Sequence, residues 1–170
     1  MTELDHASVK KIYEEAQEES PRGSVIVWAA LLDTRLRELI SNFMIDDKAV
    51  ENLLGTDKDP DRPLSSFASR ARIAYCLGLI SFNEYDDLKT IATIRNKFAH
   101  RVHSITTEND KEIVDLCKKL KTAKVLIPYI FRPTDIVKPM DSFISAVIFL
   151  DMHLGLYTRD IKKHRRQIKL

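Results

Sequence analysis

The sequence predicts an all-α fold: a single-domain helical bundle of six or seven helices. Three observations carry this. Only four of the 170 residues are glycine, too few for a turn-rich all-β chain. Apolar residues recur at helical rather than alternating spacing along most of the chain. Hydrophobic residues at 44% beside 31% charged residues describe a globular protein, and this length suits one core better than two.

Taken in order, a first helix is expected over residues 5–19, ended by Ser20-Pro21. The second is the clearest. Val25, Trp28, Ala29, Leu32, Leu36, Leu39, Ile40 and Phe43 keep i, i+3, i+4, i+7 spacing and mark a central core helix. Asp46-Asp47 can cap a short helix that runs through Leu54 and stops at Gly55. TDKDPDRPLS, with two prolines and alternating charge, reads as an irregular loop. Ser65 or Ser66 caps a helix to about Leu77 that presents Phe67, Ala71, Ala74, Tyr75 and Gly78 on one face. Ser81, with Glu84 three positions on, has the form of a capping box and opens a helix over residues 82–100. Another helix is expected over residues 108–120. VLIPYIFRPTDIVKP, broken by three prolines, should wrap across the bundle. The last helix begins near Pro139, a residue tolerated at a first helical position, and carries Phe143, Ile144, Val147, Ile148, Leu150, Leu154 and Tyr157. The chain thus divides into an N-terminal helix in residues 1–20, a helical domain over 22–158 and a basic tail over 159–170.

Several function classes drop out. Cys76 and Cys117 have neither CxxC spacing nor neighbouring histidines, so no disulfide framework and no metal site is expected, and a reducing cytoplasm fits. MTELDHASVKK lacks a signal-peptide core, and the apolar runs VLIPYIF and ISAVIFL are far shorter than a bilayer span, so no membrane association is expected. HExxH, Walker, dinucleotide-turn and GxSxG motifs are absent, and no cofactor is implied. The net charge of +2 predicts no polyanion partner, but its distribution is uneven. RDIKKHRRQIKL holds six Lys or Arg against one Asp, carries +5 and leaves −3 on the remainder. Through Lys162, Lys163, Arg165 and Arg166 this tail could touch a nucleic-acid backbone. The plainer reading is a solvated helix end with cations near its dipole.

The most specific stretch is Ile94-Arg95-Asn96-Lys97-Phe98-Ala99-His100. With roughly 100° of rotation per residue, Asn96 lies about 100° and His100 about 140° around from Arg95, so the three share one broad flank. The apolar stripe of this helix reads as Leu88, Ile91, Ala92, Arg95, Ala99 and Val102, which puts Arg95 where an apolar residue belongs. A buried guanidinium needs a partner. In the structural reading that partner is Asp33, which interrupts the pattern of the second helix; Asn96 then caps carbonyls, and losing Arg95 costs about 3–5 kcal/mol. In the functional reading Arg95 and Asn96 hold a phosphate or another anion while His100, with an unperturbed pKa of about 6.5, transfers a proton. Arg70 and Arg72 could extend a cationic pocket, but two positions apart they diverge, and one of them can instead pair with Asp33 or Glu38. Arg101 and His103 only follow the motif. His153, between core positions, reads as a half-buried structural histidine.

Arg95 to His100 resembles the signature of HEPN superfamily domains: an Arg, a polar neighbour matched by Asn96, and a His after a short gap, at the end of a bundle helix. The surrounding order is more specific. WAALLDTRLRELI over residues 28–40, SSFASRARIAYCLGLIS over 65–81 and DLKTIATIRNKFAH over 87–100 look like the mannitol operon repressor family, an all-helical group of bacterial regulators; FISAVIFLDMHL sits where that family has its last helix. The resemblance covers most of residues 22–157. It implies a transcriptional regulator that lacks its own helix-turn-helix and works through protein contacts, with another regulator or itself as partner and a homo-oligomeric state. The alternatives are a metal-independent ribonuclease of the HEPN type using Arg95, Asn96 and His100, and a non-catalytic interaction module. Solvent-accessible Arg95 and His100 in a groove would favour the nuclease; Arg95 buried against Asp33 would favour the structural role.

Overall fold

Eight helices make up the computed structural model, which describes residues 6–16, 20–45, 47–55, 62–100 and 110–167, with side chains described for 10–15, 20–45, 47–55, 62–100 and 110–161. They are α1 (His6–Ala16), α2 (Pro21–Phe43), α3 (Lys48–Leu54), α4 (Phe67–Cys76), α5 (Phe82–His100), α6 (Lys111–Lys119), α7 (Ala123–Ile130) and α8 (Pro139–Gln167). Among the described residues there is no strand. The two longest helices, α2 and α8, share the most extensive interface, with α4 and α5 packed against α2 and α6 and α7 against α8. One hydrophobic core runs through all of them, built on Val25, Leu32, Leu36, Leu39 and Ile40 of α2 and Phe143, Ile144, Val147, Leu150 and Leu154 of α8.

Local chemistry sets the ends. Ser20 accepts from the Gly23 N–H at 3.1 Å ahead of Pro21, and Asp47 accepts from Ala49 at 2.7 Å. Gly55 ends α3 with φ +66°, a left-handed conformation that a Cβ would disfavour. The expected capping box is present in both directions: Ser81 N–H donates to Glu84 Oε2 at 2.7 Å and Glu84 N–H to Ser81 Oγ at 3.3 Å.

Two expectations need correction. The segment with three prolines forms α7 over most of its first half, which raises the count to eight. Pro128 lies inside that helix and removes only one i→i−4 bond, the one to the Lys124 carbonyl, on a residue exposed to water. In exchange Ala123 and Leu126 are buried, and α7 packs between α1 and α8. The stripe on α5 is also rotated from the expected one: the buried residues are Glu84, Asp87, Leu88, Ile91, Ile94 and Phe98, while Arg95 and Ala99 are exposed. The two carboxylates disguised the pattern. Asp87, 1% exposed, accepts from Lys121 N–H at 3.0 Å, from Thr122 N–H at 2.7 Å and from the Thr122 hydroxyl at 2.7 Å, so it docks the start of α7 onto α5.

On α4 the buried residues are Arg70, Ala71 and Ala74, whereas Tyr75 and Gly78 are exposed. Arg35 of α2 donates to Asp151 of α8 at 2.7 Å, and this bond raises its pKa further. Tyr13 of α1 donates to Asp141 of α8 at 2.6 Å and sets its ring edge-on to Phe131, with centroids 5.3 Å apart. Helix α8 is long and apolar enough over Pro139–Ile161 to meet the length and composition of a membrane span, but half of that stretch is buried inside the bundle, Phe143, Ile144, Val147, Leu150 and Leu154 among it. The backbone of α8 continues through Gln167, while the side chains of Lys162, Lys163, Arg165 and Arg166 lie outside the described residues, as do Arg101, Val102 and His103.

Candidate functional site

The motif helix forms one wall of a groove of about 430 Å³ between α2, the start of α4 and α5. Small side chains leave it open: Ala29 and Ala30 on α2, Ala68 on α4 and Ala92 on α5 line it without filling it. Ile26 and Phe67 supply apolar walls. Ser66 holds the start of α4 by accepting the Ser69 N–H at 3.1 Å. Into this groove project Asp33 from one side and Arg95 and Asn96 from the other.

The expected Arg95–Asp33 pair is not formed. Arg95 is exposed, and its guanidinium donates to the Asn96 side-chain oxygen at 3.0 Å. Asp33 is taken by Arg70, whose NH1 reaches it at 2.6 Å and whose NH2 donates to the Leu54 carbonyl at 3.2 Å. The reason is helical phase. The turn that buries Ile94 and Phe98 rotates Arg95 outward, and the apolar stripe on α4 includes Arg70, which points inward beside Ala71 and Ala74. Arg72, two positions on, is exposed, in line with the divergence expected at that spacing.

With the Asn96 side-chain oxygen accepting from Arg95, the guanidinium and the amide N–H groups make a donor-rich edge in a groove that Asp33 also lines. Such an edge can bind an anion or the carbonyls and carboxylates of a partner chain. His100 is exposed at the end of α5 and is not part of the groove lining. The motif therefore places all three residues at the surface but sets only two of them in the groove.

Sequence reasoning missed the groove's apolar walls, because Ile26 falls outside the apolar stripe of α2 and Phe67 falls on the packed face expected for α4. It also missed a second polar cluster on the far end of α5, where Glu84 meets His153 and Tyr157 of α8. The signal was faint: His153 and Tyr157 stand four apart on one face, and Glu84 showed only its capping role. His153 itself is half-buried. Among the described residues no group of three or more His, Cys, Asp or Glu could hold a metal ion.

Residues 8–166 match the family model described as mannitol repressor. The chain belongs to the mannitol repressor family. Its fold is similar to that in the X-ray structure of the MtlR–HPr complex from Escherichia coli, with a TM-score of 0.57 and 23% sequence identity over 92% of this chain and 99% of that one. At that identity the likeness is one of fold. No curated protein matches the sequence. Membership of the mannitol repressor family supports the regulatory role that the motif's surroundings implied.

Proposed function

We propose that the protein is a transcriptional regulator of the mannitol repressor type that acts through protein contacts, using the groove between α2, α4 and α5 to dock its partner. The observation that carries this reading is the exposed Arg95–Asn96 pair, bonded at 3.0 Å on the groove wall and facing Asp33 across apolar sides. A donor edge, an acceptor and apolar walls together suit a peptide segment better than a bare phosphate. The similar fold from Escherichia coli occurs in a complex with HPr, which makes HPr the first partner to try. Another regulator and a second copy of this chain, forming a homo-oligomer, are the other partners to test. The two free thiols fit a cytoplasmic location.

The test is a calorimetric titration with HPr, together with sedimentation equilibrium of the protein alone. Arg95→Glu should weaken whichever association occurs by about tenfold or more while leaving the thermal midpoint unchanged. Association unaffected by both Arg95→Glu and Asn96→Ala would remove the groove from the account.

A second reading, a metal-independent ribonuclease, is favoured by the exposure of Arg95, Asn96 and His100 on one helix. There His100 would accept the 2′-hydroxyl proton and Arg95 would stabilise the phosphorane charge. Mixed RNA incubated in EDTA decides between the two. Cleavage to cyclic phosphate ends by the wild type, lost in both Arg95→Ala and His100→Ala, would replace the regulatory reading.

A further inference from the structure

At the opposite end of α5 from the motif, a cavity of about 180 Å³ opens between α5, α7 and α8. Three electron-pair donors from two helices meet on its lining. Glu84 Oε1 lies 3.2 Å from His153 Nδ1 and 3.2 Å from the Tyr157 hydroxyl, and those two atoms lie 3.3 Å apart. The three make a nearly equilateral triangle. His153 and Tyr157 stand one turn apart on α8, the i, i+4 spacing by which a helix delivers two side chains to one ion, and Glu84 comes from α5. Only two of the three are carboxylate or imidazole; the third donor is a phenol.

Three properties of the triangle specify a ligand. The first is its size. Donors bound at about 2.0–2.1 Å to a tetrahedral ion lie about 3.3–3.4 Å from one another. The observed edges of 3.2–3.3 Å meet that spacing to within about 0.2 Å, whereas a hydroxyl bonded to a carboxylate sits closer, at about 2.7–2.8 Å. The second is support. Glu84 is 3% exposed, and its other oxygen accepts the Ser81 N–H at 2.7 Å, so the capping box aims Oε1. The His153 ring rests on Phe149, with centroids 3.9 Å apart. Donors held in this way reorganise little on binding. The third is charge. A carboxylate, a phenolate and an imidazole sharing its lone pair sum to −2, which a divalent cation cancels. Coordination displaces any proton on Nδ1, so the sum holds whichever form the free imidazole takes. Burial and the Glu84 charge raise the Tyr157 pKa to about 12; a cation bonded to the phenol oxygen reverses that balance and releases the proton. Lys121, on the rim, does not oppose the cation, because its ammonium is bound to Asp86 at 3.1 Å.

We infer that Glu84 Oε1, His153 Nδ1 and Tyr157 Oη form a binding site for one divalent transition-metal ion of the zinc class, with its fourth coordination position open to the cavity. One nitrogen and two oxygens suit such an ion better than magnesium or calcium, which take six or more oxygen ligands. The site shares no lining residue with the groove and stands independently of partner docking there.

Calorimetric titration with zinc chloride tests it at about pH 7.5, well below the ordinary tyrosine pKa of about 10. Zinc should bind one to one, while magnesium and calcium chloride give no saturable heat. Cobalt(II) in place of zinc should show the intense visible absorption of a four-coordinate ion. A near-ultraviolet phenolate band should grow in step with either metal, a signal that an ion on surface histidines does not produce. Tyr157→Phe should abolish that band and weaken binding about tenfold, and His153→Gln should weaken binding more than about a hundredfold, beyond what loss of a supporting partner costs. Both positions are half-buried, so circular dichroism verifies the fold of each variant, and the phenolate band reads the site in the wild type without either. No saturable zinc binding, zinc binding without the phenolate band, magnesium or calcium bound more tightly than zinc, or affinity unchanged in both variants, the mark of an adventitious ion only, would each overturn the inference.

Discussion

Replacing either partner of the Arg70–Asp33 pair should destabilise the protein, and unequally. The Arg70 side chain is 7% exposed and Asp33 33% exposed, with 2.6 Å between them. Arg70 Nε is buried and has no hydrogen-bond partner, so the guanidinium depends on Asp33 and on the Leu54 carbonyl for its compensation. Asp33→Ala leaves that cation buried against one neutral acceptor, a loss on the order of 3–5 kcal/mol. Arg70→Met keeps the packing of the stem, removes the unsatisfied Nε and lets the partly exposed Asp33 rehydrate, for a net loss on the order of 1–2 kcal/mol. The double variant should resemble Arg70→Met alone, so the coupling energy should match the whole Asp33→Ala loss, on the order of 3–5 kcal/mol. Urea unfolding followed by helical circular dichroism measures all three. Equal slopes with shifted midpoints would attribute the changes to stability. The reasoning fails if the single losses simply add, or if Arg70→Met proves the worse of the two.

Other substitutions separate the buried from the exposed polar groups. Arg95→Ala should leave the unfolding midpoint unchanged, because the side chain is exposed and its hydrogen bond is to its own neighbour; a loss of several kcal/mol would contradict the position of α5. Asp87→Ala strips two backbone N–H groups and a hydroxyl of their acceptor and should cost on the order of 3–5 kcal/mol in the same unfolding measurement. A thiol reagent should modify Cys76 in the native protein and Cys117 only on unfolding, countable by mass spectrometry. Burial pushes the Cys117 thiol from 9.0 up to about 12. Its contribution is therefore whole below about pH 9 and is lost as pH rises toward 12, on the order of 4 kcal/mol. Tyr157, raised from 10.0 to about 12 by burial and by the Glu84 charge, adds a loss of the same sign from about pH 10 upward. Cys117→Val should flatten the stability profile from pH 9; an identical profile would refute the assignment.

The helices whose apolar residues carry the whole pattern were legible from sequence. Helix α2 needed only its Leu and Ile spacing, and α8 the run from Phe143 to Leu154. Legibility failed where polar residues occupy inward positions. Glu84 and Asp87 fall on the buried stripe of α5, and Arg70 on that of α4, so the pattern seemed to continue through Arg95 instead. What satisfies those buried groups comes from residues such as Asp33, Leu54, Thr122 and His153, brought close only by tertiary packing. Helix α7 was obscured because proline was read as a breaker where its single missing donor is tolerated. The motif revealed the family by its surroundings, but which way its arginine faces depended on a phase difference of one residue.

The bond between Tyr13 and Asp141 spans 128 positions of the chain. Asp141 also accepts the Lys138 N–H at 2.8 Å, so one carboxylate both starts the last helix and anchors the first. During synthesis at about 5–20 residues per second, roughly 6–26 s pass between the two residues leaving the ribosome's peptidyl-transfer site. For most of that interval Tyr13 has none of its native cover, since α7 and α8, the helices α1 packs against, are translated late. The nascent chain thus carries an early buried side chain, Tyr13, whose shelter is made late in the chain. A stalled or truncated product lacking α8 would leave Tyr13 and the α2 core face open to chaperones, proteases and neighbouring chains.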